Sequence, residues 1–280
     1  MNIFPTIYRL LKCLIVSLMI LTQQAGLAHS SDLENFRQKF IDFYNNDANY
    51  DTIVKSFDVS PQKEIILLDH LRKVFSNEQF INLMVDEMDN QGILDALKDQ
   101  GDTEETFALS MGFGYQFVTE LSVKGIKRMS DERIREYLNL SGHFFANIPP
   151  RYCRALMGSS ISQEDEINAS INALRNLNAS DMRFYFELTR EAIFSELNDW
   201  PLSIPLNDYQ INTGQRVFEK TFTEAIDRHH ASDRIIVTLL EPQKASDADF
   251  CLTGKVMMDI IYDLEGMAGN WFRRSFVESM

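Results

Sequence analysis

A chain of 280 residues that is 45% hydrophobic, with 20 phenylalanines and 12 methionines, can bury a sizeable core and is not a disordered polymer. Its 41 acidic and 27 basic residues give a formal charge of −14. That field repels phosphate backbones and anionic headgroups, so neither nucleic acid nor an anionic membrane is an expected partner.

Residues 1–28 read as an export signal. Arg9 and Lys12 form a positive n-region, residues 13–21 are a short apolar run, and Gly26 and Ala28 are small residues before a cleavage site. Cleavage after Ala28 would make His29 the mature N-terminus. The run falls far short of the roughly 20 residues a spanning helix needs, so no stable membrane span is expected after processing. The protein is expected to be exported, periplasmic in a Gram-negative bacterium or otherwise secreted. Losing Arg9 and Lys12, and no acid, takes the charge to −16 and leaves 252 residues, enough for one large domain or two small ones.

From there the apolar spacing is helical almost throughout. Leu33, Phe36, Phe40 and Phe43 share a face. Ser60-Pro61 starts a helix carrying Leu67, Leu71 and Val74, on which Asp69-His70 reads as solvent-facing. Ser76-Asn77-Glu78-Gln79 fits a capping box before Phe80, Met84 and Met88, and Gly92 interrupts. Phe107, Met111, Gly114, Val118 and Leu121 form the next face, where pairs of small residues four apart (Ala108 and Gly112, Ser110 and Gly114) suit close helix packing. Ser130-Asp131-Glu132 opens a helix bearing Ile134, Leu138 and Phe145. Ser162 and Ser180 are expected caps for two more, and helices follow at about 208–228, 233–240, 248–264 and 267–277. The run 235–240 could be a buried strand, but it has no partner and a lone strand is unstable, so helix is preferred.

Two proline-bearing segments punctuate this pattern. Asn147-Ile148-Pro149-Pro150-Arg151-Tyr152-Cys153-Arg154 must stop one helix, and Pro150 suits the first position of the next. Trp200 to Asn207, with Pro201 and Pro205, must be a rigid surface loop. The fold class is therefore all-α: a bundle of about nine to eleven amphipathic helices over 29–280, open to division into packed halves 29–148 and 149–280. Cys153 and Cys251 both fall early in helices, and once Cys13 leaves with the signal they are an even pair in an oxidising compartment. A disulfide between them is expected.

Candidate chemistry is sparse. His229, His230 and Asp233 are the densest set of metal-ligating residues. Adjacent helical histidines point about 100° apart, however, and a helix C-terminus favours histidine through its dipole alone. His143 reads as a hydrogen-bonded residue beside the core. There is no His-Glu-x-x-His and no Gly-x-Ser-x-Gly. No residue is assigned a catalytic or cofactor-binding role, and no cofactor is expected. The reading is a non-catalytic binding or interaction module with an apolar groove between helices, adaptable through Met111, Met257, Met258 and Met267. Its partner would be a protein or an apolar small molecule. The alternative is a hydrolase or metal-dependent enzyme using His229, His230 and Asp233.

Overall fold

The computed structural model describes residues 33–100, 104–157 and 163–279. The leader, the cleavage position after Ala28 and Cys13 lie outside them, as does the expected cap Ser162. Every regular element among the described residues is a helix, so the protein is an all-α bundle. In order these are α1 (Leu33–Tyr44), α2 (Asp47–Ser56), α3 (Pro61–Phe75), α4 (Glu78–Asn90), α5 (Ile93–Gln100), α6 (Glu104–Ile126) and α7 (Asp131–Asn147). Then come α8 (Pro150–Met157), α9 (Gln163–Asn176), α10 (Ala179–Leu197), α11 (Asp208–Arg228), α12 (Ser232–Leu240), α13 (Asp247–Asp263) and α14 (Gly266–Glu278), with a single 3-10 turn at Pro242–Lys244. Residues 235–240 are helical, as the missing strand partner required. Two short helices, α2 and α5, subdivide the chain more finely than its apolar spacing announces.

Caps set several of these boundaries. Ser130 accepts a bond from the Arg133 N–H at the start of α7, and Ser246 and Asp249 form a reciprocal capping box on α13. Elsewhere the cap is not the expected serine. Asn77, not Ser76, caps α4 by accepting from Phe80 N, and Asn178, not Ser180, caps α10 by accepting from Asp181 N. Asparagine caps as well as serine, so a cluster of polar residues leaves the choice to tertiary geometry.

The core is built on α7, α10 and α13. α10 packs along α6 and α3, and α13 packs against α7 and α8. Gly125 lets α6 touch α10: a Cβ there would run into the Ala192 carbonyl. On the other side Gly254 of α13 sits under the Phe145 ring, where a Cβ would lie 2.6 Å from ring carbons. One continuous cluster of buried apolar residues extends from Phe40 in α1 to Val277 in α14. Burying each large side chain in it is worth about 1.5–3 kcal/mol.

The first proline junction is buried in this core. Ile148, Tyr152 and Cys153 are inaccessible, and α8 begins at Pro150 as expected. The Cys153 and Cys251 sulfurs are 1.96 Å apart, at bonding distance, joining α8 to α13 across 98 residues. Next to them Arg154 bonds Asp247 at 2.5 Å and the Ala245 carbonyl, so the start of α13 is held twice.

Candidate functional site

The second proline junction behaves in the opposite way. α10 ends with Asp199 at φ +51°, and Trp200 N reaches back to the Ser195 carbonyl at 3.0 Å. A left-handed residue followed by such a bond is a standard helix stop, and aspartate tolerates that conformation better than most side chains. At the far end Asn207 and Gln210 close a capping box on α11, with bonds of 3.0 and 2.9 Å. Between these stops Trp200, Leu202 and Ile204 are 69%, 65% and 63% exposed. The loop is at the surface, as expected, but its apolar side chains point away from the core.

This arm is fixed at its base. Arg128, in the turn between α6 and α7, bonds Glu196 at 2.7 Å, Asp199 at 2.5 Å and the Pro201 carbonyl at 3.3 Å. The Glu196 bond, opposed in part by desolvation, raises the Arg128 pKa above its ordinary value, so the clamp stays charged. Neighbouring Lys127 donates to the Glu278 carbonyl at the end of α14, at 3.3 Å. At the arm's other end Tyr209, equally exposed, rests edge-on against Trp271 of α14 with ring centroids 6.2 Å apart. The arm is thus anchored near both the end and the middle of α14. Met267, also exposed, lies one turn before Trp271 on the same face. Met267, Trp271 and Tyr209 thus place exposed apolar surface on α14 beside α11, and the arm carries a second exposed apolar set leading into α11.

α14 is itself rigidly seated. Gly214 of α11 meets it so closely that a Cβ would lie 2.7 Å from Phe272 N, and Phe218 stacks on Phe272 at 4.2 Å. The buried Arg273 donates to the Ile261 and Leu264 carbonyls at 2.9 and 2.8 Å, satisfying the last turn of α13. Burial and the nearby Arg135 lower its pKa. Arg274 is paired with Asp131, which also accepts from Asn270 at 3.0 Å. The arginines of α14 therefore serve the fold.

The titratable groups do not assemble into a comparable centre. His229 caps α11 and His230 follows it, their rings stacked at 4.4 Å instead of converging on a point. His229 Nδ1 accepts the Ala231 N–H at 3.1 Å, so that ring nitrogen is engaged by the backbone. Asp233 is exposed, and no group of three ligating residues occurs among the described residues. His143 Nδ1 bonds Asp181 at 3.0 Å, and among the described residues no hydroxyl or thiol is bonded to its Nε2. It is the hydrogen-bonded residue expected, and Asp181 is the partner the spacing did not reveal.

His70 is a correction. The expectation placed it in solvent with Asp69, but it is fully buried and stacked on Phe186 at 4.3 Å. It lies three residues after Leu67 and four before Val74, on the buried stripe of α3, so helical spacing alone could have found it. Among the described residues its Nε2 has no hydrogen-bond partner, while Arg190 of α10 approaches Nδ1 at 3.5 Å. Burial and then Arg190 push its pKa well below the usual histidine value, the Phe186 backbone opposing them. Of the methionines expected around a groove, Met257 and Met258 are core residues, Met267 is exposed on α14, and the Met111 side chain lies outside the described residues. Compared with protein-family models, with characterised proteins and with solved structures, the chain finds no match.

Proposed function

We propose that the protein is an exported, non-catalytic interaction module that docks another protein through the band formed by Trp200, Leu202, Ile204, Tyr209, Trp271 and Met267. One observation carries the reading: three large apolar side chains are held in water, in sequence, on an arm pinned at both ends. Isolated exposed apolar residues are ordinary; a contiguous rigid set marks an interaction surface, and tryptophan and tyrosine are the residues most often decisive in one. These side chains stand exposed rather than lining an enclosed cavity, which favours a protein surface over a small molecule. Export is part of the proposal and rests on the composition of residues 1–28.

The test is a photo-crosslinking amino acid placed at Leu202 and, as control, at the exposed Gln62 of α3, in cells making the full chain. A discrete adduct expected from Leu202 should be absent from Gln62 and from a Leu202 probe carrying Ile204→Asp. Equal labelling from both positions, or none from Leu202, would overturn docking by this band. Metal analysis separates the enzymatic alternative: stoichiometric zinc that disappears on substituting His229 and His230 would replace this reading with a metal-dependent one.

A further inference from the structure

We infer that the surface recognised by the band is a cationic amphipathic helix of another protein, an inference that rests on the docking reading above. The argument is one of charge and dimension. The arginines of α14 and of the arm's base are engaged by the fold: Arg128 is clamped between Glu196 and Asp199, Arg273 caps α13, and Arg274 is paired with Asp131. Lys127 is turned onto the Glu278 carbonyl. The exposed charged side chains at the far end of the arm and at the two ends of α14 are acids: Asp208, Glu265 and Glu278. Arg216, two turns along α11 from Tyr209, is an exposed cation on that side, and its guanidinium folds back on the Asn212 carbonyl and Thr213.

An apolar strip with an acidic rim selects a partner with an apolar stripe and basic flanks, because like charges across a rim are repulsive while opposite ones steer association. The same rim disfavours a second copy of this chain, which would bring its own formal charge of −14 to the contact. Part of the strip lies on α14, a helix of 13 residues and hence about 20 Å long, which matches a partner helix of three to four turns. Apolar anchors at i, i+3, i+4 and i+7 on such a helix would face Met267, Trp271, Tyr209 and the arm.

The chain itself supplies the reporter, since its only two tryptophans, Trp200 and Trp271, both belong to the band. The probes are three 14-residue peptides: leucine and lysine in amphipathic order, the same peptide with glutamate for lysine, and the lysine peptide with its sequence scrambled. The ordered lysine peptide is expected to shift tryptophan emission to shorter wavelength and saturate. Its affinity should fall at least tenfold in Leu202→Ser/Ile204→Ser and between low and physiological salt. The glutamate and scrambled peptides should bind at least tenfold more weakly.

Equal binding of the glutamate peptide would overturn the charge argument, and equal binding of the scrambled peptide would overturn the helical one. Lysine-peptide affinity unchanged in Leu202→Ser/Ile204→Ser would show binding elsewhere on the acidic surface and overturn the inference as a whole. A crosslinked adduct from Leu202 without lysine-peptide binding would overturn the partner chemistry while leaving the docking reading intact. A chain that sediments as a dimer only while its arm is intact would assign the band to self-association instead.

Discussion

The two proline junctions have similar composition and opposite fates. Residues 147–154 and 200–207 each carry two prolines, large apolar side chains and at least one asparagine. At the first, Ile148, Tyr152 and Cys153 are buried, and the segment is tied to α13 by the sulfur pair and by Arg154. At the second, Trp200, Leu202 and Ile204 stand in water, and the Arg128 clamp, the terminal caps and the Tyr209–Trp271 contact just beyond hold the chain. Proline rigidity is common to both, so rigidity alone does not distinguish core from surface. What differs is the neighbour: helix α13 covers the first junction, and nothing among the described residues covers the second. Apolar area left exposed on an ordered support does not contribute to folding, and this is why the second junction is the better candidate for function.

The largest expected effect falls beside the first junction. Phe145 is fully buried over Gly254, so Phe145→Ala should destabilise the protein by about 3–5 kcal/mol, read as a lower denaturant midpoint with an unchanged slope. A loss below about 1 kcal/mol would mean that the α7–α13 contact is not part of the stable core.

Next comes the staple. Replacing Cys153 and Cys251 together by serine should remove about 2–5 kcal/mol, less any stability lost by distortion in the parent. Denatured, unreduced protein made in an oxidising compartment should show no free thiol from this pair. Two free thiols per chain would leave the first junction held by packing and Arg154 alone, and the contrast with the arm would narrow.

Acid should act on the buried side of the comparison. The unfolded chain protonates His70 near pH 6.5, whereas the folded one resists because burial and Arg190 disfavour a second cation there. The groups facing it are Arg190 and the Phe186 backbone from α10, and Asp69 and Lys73 from its own helix. Because the folded pKa is depressed, the unfolded chain binds the proton first, and stability is lost as pH falls below about 6.5. The slope from this one group is at most about 1.4 kcal/mol per pH unit. His70→Met should flatten that slope, and an unchanged slope would assign the acid sensitivity to other groups. Trp200 emission should stay solvent-like throughout, since Trp200 is already exposed in the folded chain.

Much of the fold was legible because it depends on local rules. Helical spacing, Pro150 at a first turn, Ser130 at the start of α7 and the lone apolar run at 235–240 each pointed to the element observed. The misassignments have two causes. Asn77 and Asn178 displaced neighbouring serines because packing decided among caps that local chemistry leaves nearly equal, whereas His70 lay on a buried stripe that its spacing from Leu67 and Val74 already marked. The site was half legible: two prolines announced a rigid exposed loop, but the apolar content of 200–206 fits a buried segment as well as an exposed one. The Arg128 clamp joins positions more than 65 residues apart, so no spacing rule could have shown it.

The smallest expected effect is the sharpest test of the contrast. Leu202→Ser with Ile204→Ser should change stability by no more than about 0.5 kcal/mol, because both side chains already face water and lose no packing. Arg128→Ala is the useful companion, since removing a clamp that is itself mostly buried leaves Glu196 without its cation and should destabilise by about 1–3 kcal/mol. If the arm is an independent docking element, the serine pair will abolish the Leu202-region contact to a partner while thermal unfolding is unchanged, whereas Arg128→Ala will lower both. A serine pair that costs several kcal/mol would show instead that the arm packs against the bundle in solution, and the second junction would then join the first as part of the core.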